Sequence, residues 1–105
     1  MTDQGFTVEV NGTRGAILGG ELDLSTYDMA SRALAPLFDA EGDVTLDMSE
    51  LTFMDSSGIR LIIQLNQALA DGHRLLLLSP TPPVKRILEI AGLAELGVSI
   101  DPGPE

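Results

Sequence analysis

The stretch VTLDMSELTFMDSSGIRLI, residues 44 to 62, organises the reading of the chain. Val44 to Met48 reads as a short apolar strand. From Ile59 onward the apolar positions 59, 62, 63, 69 and 70 recur at helical spacing, up to Asp71-Gly72. Between strand and helix lies Phe53-Met54-Asp55-Ser56-Ser57-Gly58, which puts two hydroxyls beside the helix N-terminus. Arg74 to Ser79 then gives a second strand, with the continuous leucines expected when both faces of a sheet are covered. Strand, helix and strand with short links predict a right-handed parallel crossover.

Upstream, FTVEV (6–10) alternates apolar and polar residues, Asn11-Gly12 signals a tight turn, and Gly15 to Gly19 resumes an extended run. This predicts an N-terminal β-hairpin. After GELDL, Ser25 and Asp28 form a weak capping box, and Ala30, Ala33, Leu34, Leu37 and Phe38 share one helical face. Pro36 should kink or shorten that helix. Downstream, Thr81 is placed to cap a third helix with Pro82 in its first turn. Val84, Ile87, Leu88 and Ala91 face inward and Gly92 is the stop. Gly97 to Ile100 predicts an edge strand, and DPGPE a frayed tail. With no repeat or linker, residues 1–105 read as one α/β domain: a mixed sheet of about five strands, one hairpin plus parallel units, packed against helices.

Composition narrows the function. Sixteen acidic and six basic residues give a formal charge of -10, so nucleic acid and anionic membrane would be repelled. Hydrophobic residues make up 44% and aromatic ones 4%, which implies an aliphatic core. The absence of cysteine excludes disulfides and thiolate metal sites. The start MTDQGFTVEV has neither a basic leader nor an apolar signal core, and no apolar run approaches the ~20 residues that cross a bilayer. The expected location is the cytoplasm.

The serine pair admits several chemistries. Asp55 or Ser56 can be a plain N-cap, with Gly58 allowing a tight turn. A nucleophilic serine needs a base within hydrogen-bond reach, and the single histidine, His73, follows the far end of the helix. At about 1.5 Å per residue it lies on the order of 20 Å or more from Ser56. GELD and DSSG lack the lysine and glycines of a phosphate-cradling loop. Asp23, Asp47 and Asp55 near strand ends raise a magnesium or phosphoaspartate site, against which Asp47 reads as an outward strand position and Asp23 as a turn residue. The remaining option makes a serine the substrate of another enzyme, since a helix N-terminus tolerates a phosphoryl charge and the modification would alter the surface without unfolding the domain.

Four segments in order, GGELDLST (19–26), VTLDMSELTFMDSSGIRLI (44–62), GHRLLLLSP (72–80) and VKRILEIAGL (84–93), resemble the STAS-domain anti-sigma factor antagonists of bacteria. The resemblance implies a STAS-type sheet packed against three to four helices and a non-enzymatic switch without a cofactor of its own. The unphosphorylated form would bind an anti-sigma factor that is also a serine kinase, and so free a sigma factor. Phosphorylation would end that binding and a serine phosphatase would restore it. ATP and magnesium would belong to the kinase. By position the acceptor is Ser56, with Ser57 as second choice. Asp55 would be its neighbour in the recognition loop, Gly58 the small residue admitting the kinase, and Asp23 part of a loop beside the phosphosite. Phe53, Met54, Ser57 and Ile59 are further candidate contacts, with burial in the core as the alternative for the apolar three. Many members have glycine where this chain has Arg60, which lies four residues beyond Ser56 on the same helical face, placed to meet a phosphate or the partner, with a solvated surface arginine as the alternative. The alternative within the fold is a STAS scaffold subunit of a larger complex, of the stressosome or lipid-transporter type. A hydrolase using Ser56 lacks its base.

Overall fold

A two-residue strand, β1 (Thr2–Asp3), pairs antiparallel with β2 (Phe6–Asn11), and β2 returns on β3 (Gly15–Leu22). The hairpin is the one expected: Gly12 takes φ 57°, the Arg14 N–H donates to the Asn11 carbonyl at 3.1 Å, and pairing runs from Phe6↔Gly20 to Asn11↔Gly15. The computed structural model describes residues 2–3, 5–70 and 72–103. Asp71 of the expected helix stop and Pro104 and Glu105 of the expected tail lie outside these.

The chain continues through α1 (Tyr27–Ala33), a 3-10 turn (Ala35–Asp39), β4 (Val44–Met54), α2 (Ser56–Ala68), β5 (Leu75–Leu78), α3 (Pro82–Ile90), a second 3-10 turn (Leu93–Leu96) and β6 (Ser99–Asp101). Strands lie in chain order from β1 to β6, and β3 to β6 are mutually parallel. The mixed sheet thus has five principal strands plus the short β1. Each parallel step advances by one strand in the same direction. Because such crossovers are right-handed, helices on three successive steps fall on one face.

The burial pattern agrees. Phe6, Val8, Val44, Leu46, Met48, Leu75 and Leu77 are buried, while Thr7 and Glu9 between them are exposed and Thr45, Asp47, Leu76 and Leu78 are half-buried. The four leucines of β5 therefore do not mark a strand covered on both faces. They alternate between a helix-covered face and an open one, which corrects the expectation drawn from their continuity.

Strand β4 runs to Met54, six residues past the apolar stretch that announced it. The reason is visible in the register with β3. Ile17 pairs with Asp47 and Gly19 with Glu50, then Gly20 with Leu51 and Glu21 with Phe53, so β4 carries an extra residue at two places. Each irregularity breaks the two-residue period, and burial resumes at Leu51 and Met54.

Local signals at helix ends hold in part. Pro36 sits in the 3-10 turn that ends α1, and Gly92 (φ 69°) stops α3. The expected Ser25–Asp28 capping box does not form: Thr26 is the N-cap of α1 and the Ser25 hydroxyl donates to Asp23. Thr81 is the N-cap of α3, but its hydroxyl donates to the Leu51 carbonyl at 2.6 Å and so ties α3 to β4. Val84 and Leu88 are buried and Ile87 is partly so, whereas Ala91 and Ala70 lie exposed beyond the helix ends. The core is aliphatic apart from Phe6, and among the described residues no buried side-chain polar atom lacks a partner.

Candidate functional site

At the end of β4 the chain changes from strand to helix across Asp55, whose backbone is extended (φ -115°, ψ -168°). Its Oδ1 accepts the Ser57 N–H at 2.8 Å, satisfying one of the free donors of the first turn. Oδ2 accepts the Leu24 N–H at 3.3 Å, and the Asp55 N–H donates to the Leu22 carbonyl at 3.2 Å. One residue thus caps α2 and holds the loop that follows β3 beside it. Loop and serines meet because β3 and β4 are parallel neighbours that end together, Leu22 paired with Met54.

The loop has its own lock. Asp23 Oδ1 accepts from the Ser25 hydroxyl at 2.6 Å, the Ser25 N–H at 3.0 Å and the Thr26 N–H at 3.2 Å. These bonds favour the ionised carboxylate, the Ser25 hydroxyl most, and hold Asp23 below its ordinary pKa. The buried Thr26 donates its hydroxyl to the Glu21 carbonyl at 3.0 Å. Asp23 therefore shapes the loop beside Ser56.

Ser56, the first residue of α2, is exposed, and its hydroxyl makes no hydrogen bond among the described residues. Ser57 is half-buried. Gly58 is buried against the sheet: a Cβ there would stand 2.6 Å from Met54 Cγ and 3.1 Å from the Leu22 side chain. Met54 is itself 2% exposed. Two of the expected contact residues, Met54 and Gly58, are thus corrected to packing roles, in which the missing side chain lets the first turn of α2 sit down on β3 and β4. Ile59 is half-buried and packs against the core, while Phe53 is 47% exposed.

The residue that sequence reasoning missed is Leu24, 75% exposed and joined to the cap through its N–H. The available signal was an apolar residue in GELDL that belongs to no helical face. Arg60 places its guanidinium 4.6 Å from the centroid of the Tyr27 ring, and the Tyr27 hydroxyl donates to Gln64 Oε1 at 2.8 Å.

The other residues weighed for chemistry lie apart from the serines. His73 is in the loop before β5, with Nδ1 3.8 Å from Asp43 Oδ1, at the opposite end of α2 from Ser56. Asp47 accepts the Ser49 N–H at 2.9 Å and is separated from Asp55 by the remainder of β4. Among the described residues no three His, Asp or Glu side chains come together as metal ligands. An open groove lined by Glu9, Val10, Arg14, Ile17, Thr45 and Asp47 lies at the other end of β4 from the serines. No helix of the described residues is long and apolar enough to cross a membrane.

Comparison with known proteins agrees with this geometry. The family model described as the STAS domain matches residues 8–102. An anti-sigma-B factor antagonist of Staphylococcus aureus is 31% identical over 81 residues, 75% of either chain, and that of Staphylococcus epidermidis is 30% identical over the same share. Among solved structures, the fold is similar to that of a Thermotoga maritima protein (TM-score 0.71, 20% identity, 97% of this chain and 88% of that one). It is also similar to the anti-sigma factor antagonist SpoIIAA in its unphosphorylated form (TM-score 0.63, 23% identity, 90% and 86%). The phosphorylated form from Bacillus gives a TM-score of 0.62 at 24% identity, covering 90% and 89%. With a strand-to-helix serine site of this build and a family model spanning nearly all of the chain, the chain belongs to the STAS domain family.

Proposed function

We propose that the chain is an anti-sigma factor antagonist, acting in the cytoplasm and switched by phosphorylation of Ser56. In the unphosphorylated state the first turn of α2 and the loop of residues 23–26 bind an anti-sigma factor that is also a serine kinase, and a sigma factor is released. The kinase transfers the γ-phosphoryl group of ATP to Ser56 Oγ; the hydroxyl proton passes to a base of the kinase and ADP leaves. A serine phosphatase hydrolyses the ester with water and returns the hydroxyl and inorganic phosphate. ATP and magnesium are bound by the kinase.

The observation that carries this reading is the state of Ser56: an exposed hydroxyl without a hydrogen-bond partner among the described residues, beside the Asp55 cap that ties the first turn of α2 to the loop after β3. A kinase thus meets a presented acceptor and disrupts no internal bond to use it. Leu24 and Phe53 supply apolar surface near the same end of the sheet. The similarity to the staphylococcal anti-sigma-B factor antagonists supports the same reading. A phosphoryl group at this position adds about -1.5 to -2 charge beside the Asp55 carboxylate. The helix end accommodates it in the free protein, whereas a partner covering the site would have to desolvate it.

The test is incubation with serine-kinase anti-sigma factors and ATP, followed by fragment mass spectrometry and a binding titration. Phosphate on Ser56 with reduced affinity is the expected result. Phosphate on Ser57, or incorporation that leaves binding unchanged, overturns the assignment.

A further inference from the structure

We infer that Arg60 is the internal counter-ion of phosphorylated Ser56, held on the Tyr27 ring until the phosphate arrives; this rests on Ser56 as the modified residue. Ser56, Arg60 and Gln64 are successive i, i+4 positions on α2 and all three are exposed. They form one row on the face opposite Gly58, Leu61, Ile62 and Leu65, which are buried. Side chains on a helix tilt toward its N-terminus, which puts the first turn within the sweep of the Arg60 side chain.

Tyr27 of α1 flanks this row. Its hydroxyl bonds to Gln64 and its ring lies under the Arg60 guanidinium. Among the described residues Arg60 has no carboxylate within ion-pair distance, so the face of one aromatic ring is its resting contact. Between Arg32 and Arg74 it is the only lysine or arginine in a chain of formal charge -10. The phosphate dianion would otherwise stand next to the Asp55 carboxylate, offset by the helix dipole. Charge-assisted, two-pronged hydrogen bonds to phosphate oxygens outweigh a solvent-exposed stacking contact. Arg60 therefore turns from Tyr27 to the phosphoryl group. The phosphorylated surface is changed at two points: charge is added at Ser56, and the Tyr27 ring is uncovered on the same side of α2.

Phosphoserine installed at residue 56 during translation tests this without any kinase. The phosphate is titrated by phosphorus NMR in the otherwise unchanged chain, in Arg60→Lys and in Arg60→Gln. A cation about 5 Å away in water-like surroundings lowers the second phosphate pKa by about 0.5 relative to Arg60→Gln, with Arg60→Lys between them. Tyr27 is the only tyrosine and the chain has no tryptophan, so the tyrosine band of the near-ultraviolet circular dichroism reports this ring alone. That band should change on phosphorylation in the Arg60 chain and stay constant in Arg60→Gln. Equal phosphate titrations in the Arg60 and Arg60→Gln chains overturn the inference, whatever kinase assays show. Failure of kinases to modify Ser56 would instead count against the proposed function and leave the Arg60 contact standing.

Discussion

Asp55 and Leu24 are 31 residues apart in sequence, yet the carboxylate of one accepts the N–H of the other at 3.3 Å. The same carboxylate caps α2. Orientation of the serine-bearing turn and position of the exposed Leu24 are consequently properties of one side chain. A perturbation of either should be felt at both.

Asp55→Ala removes the cap and the tie together. Loss of an N-cap typically costs about 1 kcal/mol, within a range of about 0.5 to 2 kcal/mol. Chemical denaturation should show a loss in that range. Amide exchange at Leu24 and Ser57 should accelerate more than at core positions such as Leu65, whereas Asp55→Asn, which keeps an acceptor oxygen, should retain part of the protection.

Ser56→Ala should leave stability within about 0.5 kcal/mol of the parent, because an exposed hydroxyl without a partner contributes little to the fold. Phosphate incorporation by the cognate kinase should vanish. A melting curve beside a kinase assay separates the two effects, and incorporation at the parental level would move the acceptor to Ser57.

Ser56→Asp places a carboxylate in the first turn, where the helix dipole is worth about 0.3 to 1 kcal/mol in its favour. Thermal stability should be equal or slightly higher. Binding to an anti-sigma factor should fall by roughly tenfold or more, since desolvating a poorly paired charge beside Asp55 costs more than the dipole returns. One carboxylate carries less charge than phosphate, so its effect should be smaller than that of phosphoserine. An unchanged dissociation constant for both the Asp and Ala variants would take residue 56 out of the interface.

Gly58→Ala sets two effects against each other. Alanine favours a helix over glycine by about 1 kcal/mol. Its methyl group would meet Met54 and Leu22 at 2.6 and 3.1 Å, and overpacking of a filled site costs about 1 to 3 kcal/mol. The net change should be a destabilisation of about 1 kcal/mol, larger for Gly58→Val, read as a lower urea midpoint at unchanged slope.

Asp23 links the loop to pH. Its folded pKa is depressed below 3.8 by the bonds from Ser25 and Thr26, the Ser25 hydroxyl first. A depressed carboxylate contributes stability that is full above the unfolded value and is lost as pH falls through the folded one. The contribution is therefore present at neutral pH and disappears in the acid range below 3.8. Carboxyl carbon titration should place Asp23 below its ordinary value, and Ser25→Ala should raise it toward that value.

Local patterns were enough for the hairpin at Asn11-Gly12 and the stop at Gly92, because each depends on neighbours within a turn, whereas of the α2 positions 59, 62, 63, 69 and 70 only Ile62 is fully buried and Leu61 and Leu65 complete the inward face. The serine motif was equally legible as a strand-to-helix junction. Two extra residues in β4 hid its full length, since a bulge erases the alternation by which a strand is read. Phe53 and Met54 are adjacent and both apolar, but one faces out and the other in, a difference set by register with β3. Gly58 looked like an opening for a partner until Met54 and Leu22 filled the space in front of it. Leu24 became part of the site only when the parallel pairing of β3 and β4 brought two loop ends together, and Arg60 found Tyr27 only when α1 packed beside α2. The linear sequence determined the elements and the acceptor motif, whose causes are local. Which side chains surround the serine was decided by the tertiary structure, because those contacts join residues that no local period connects.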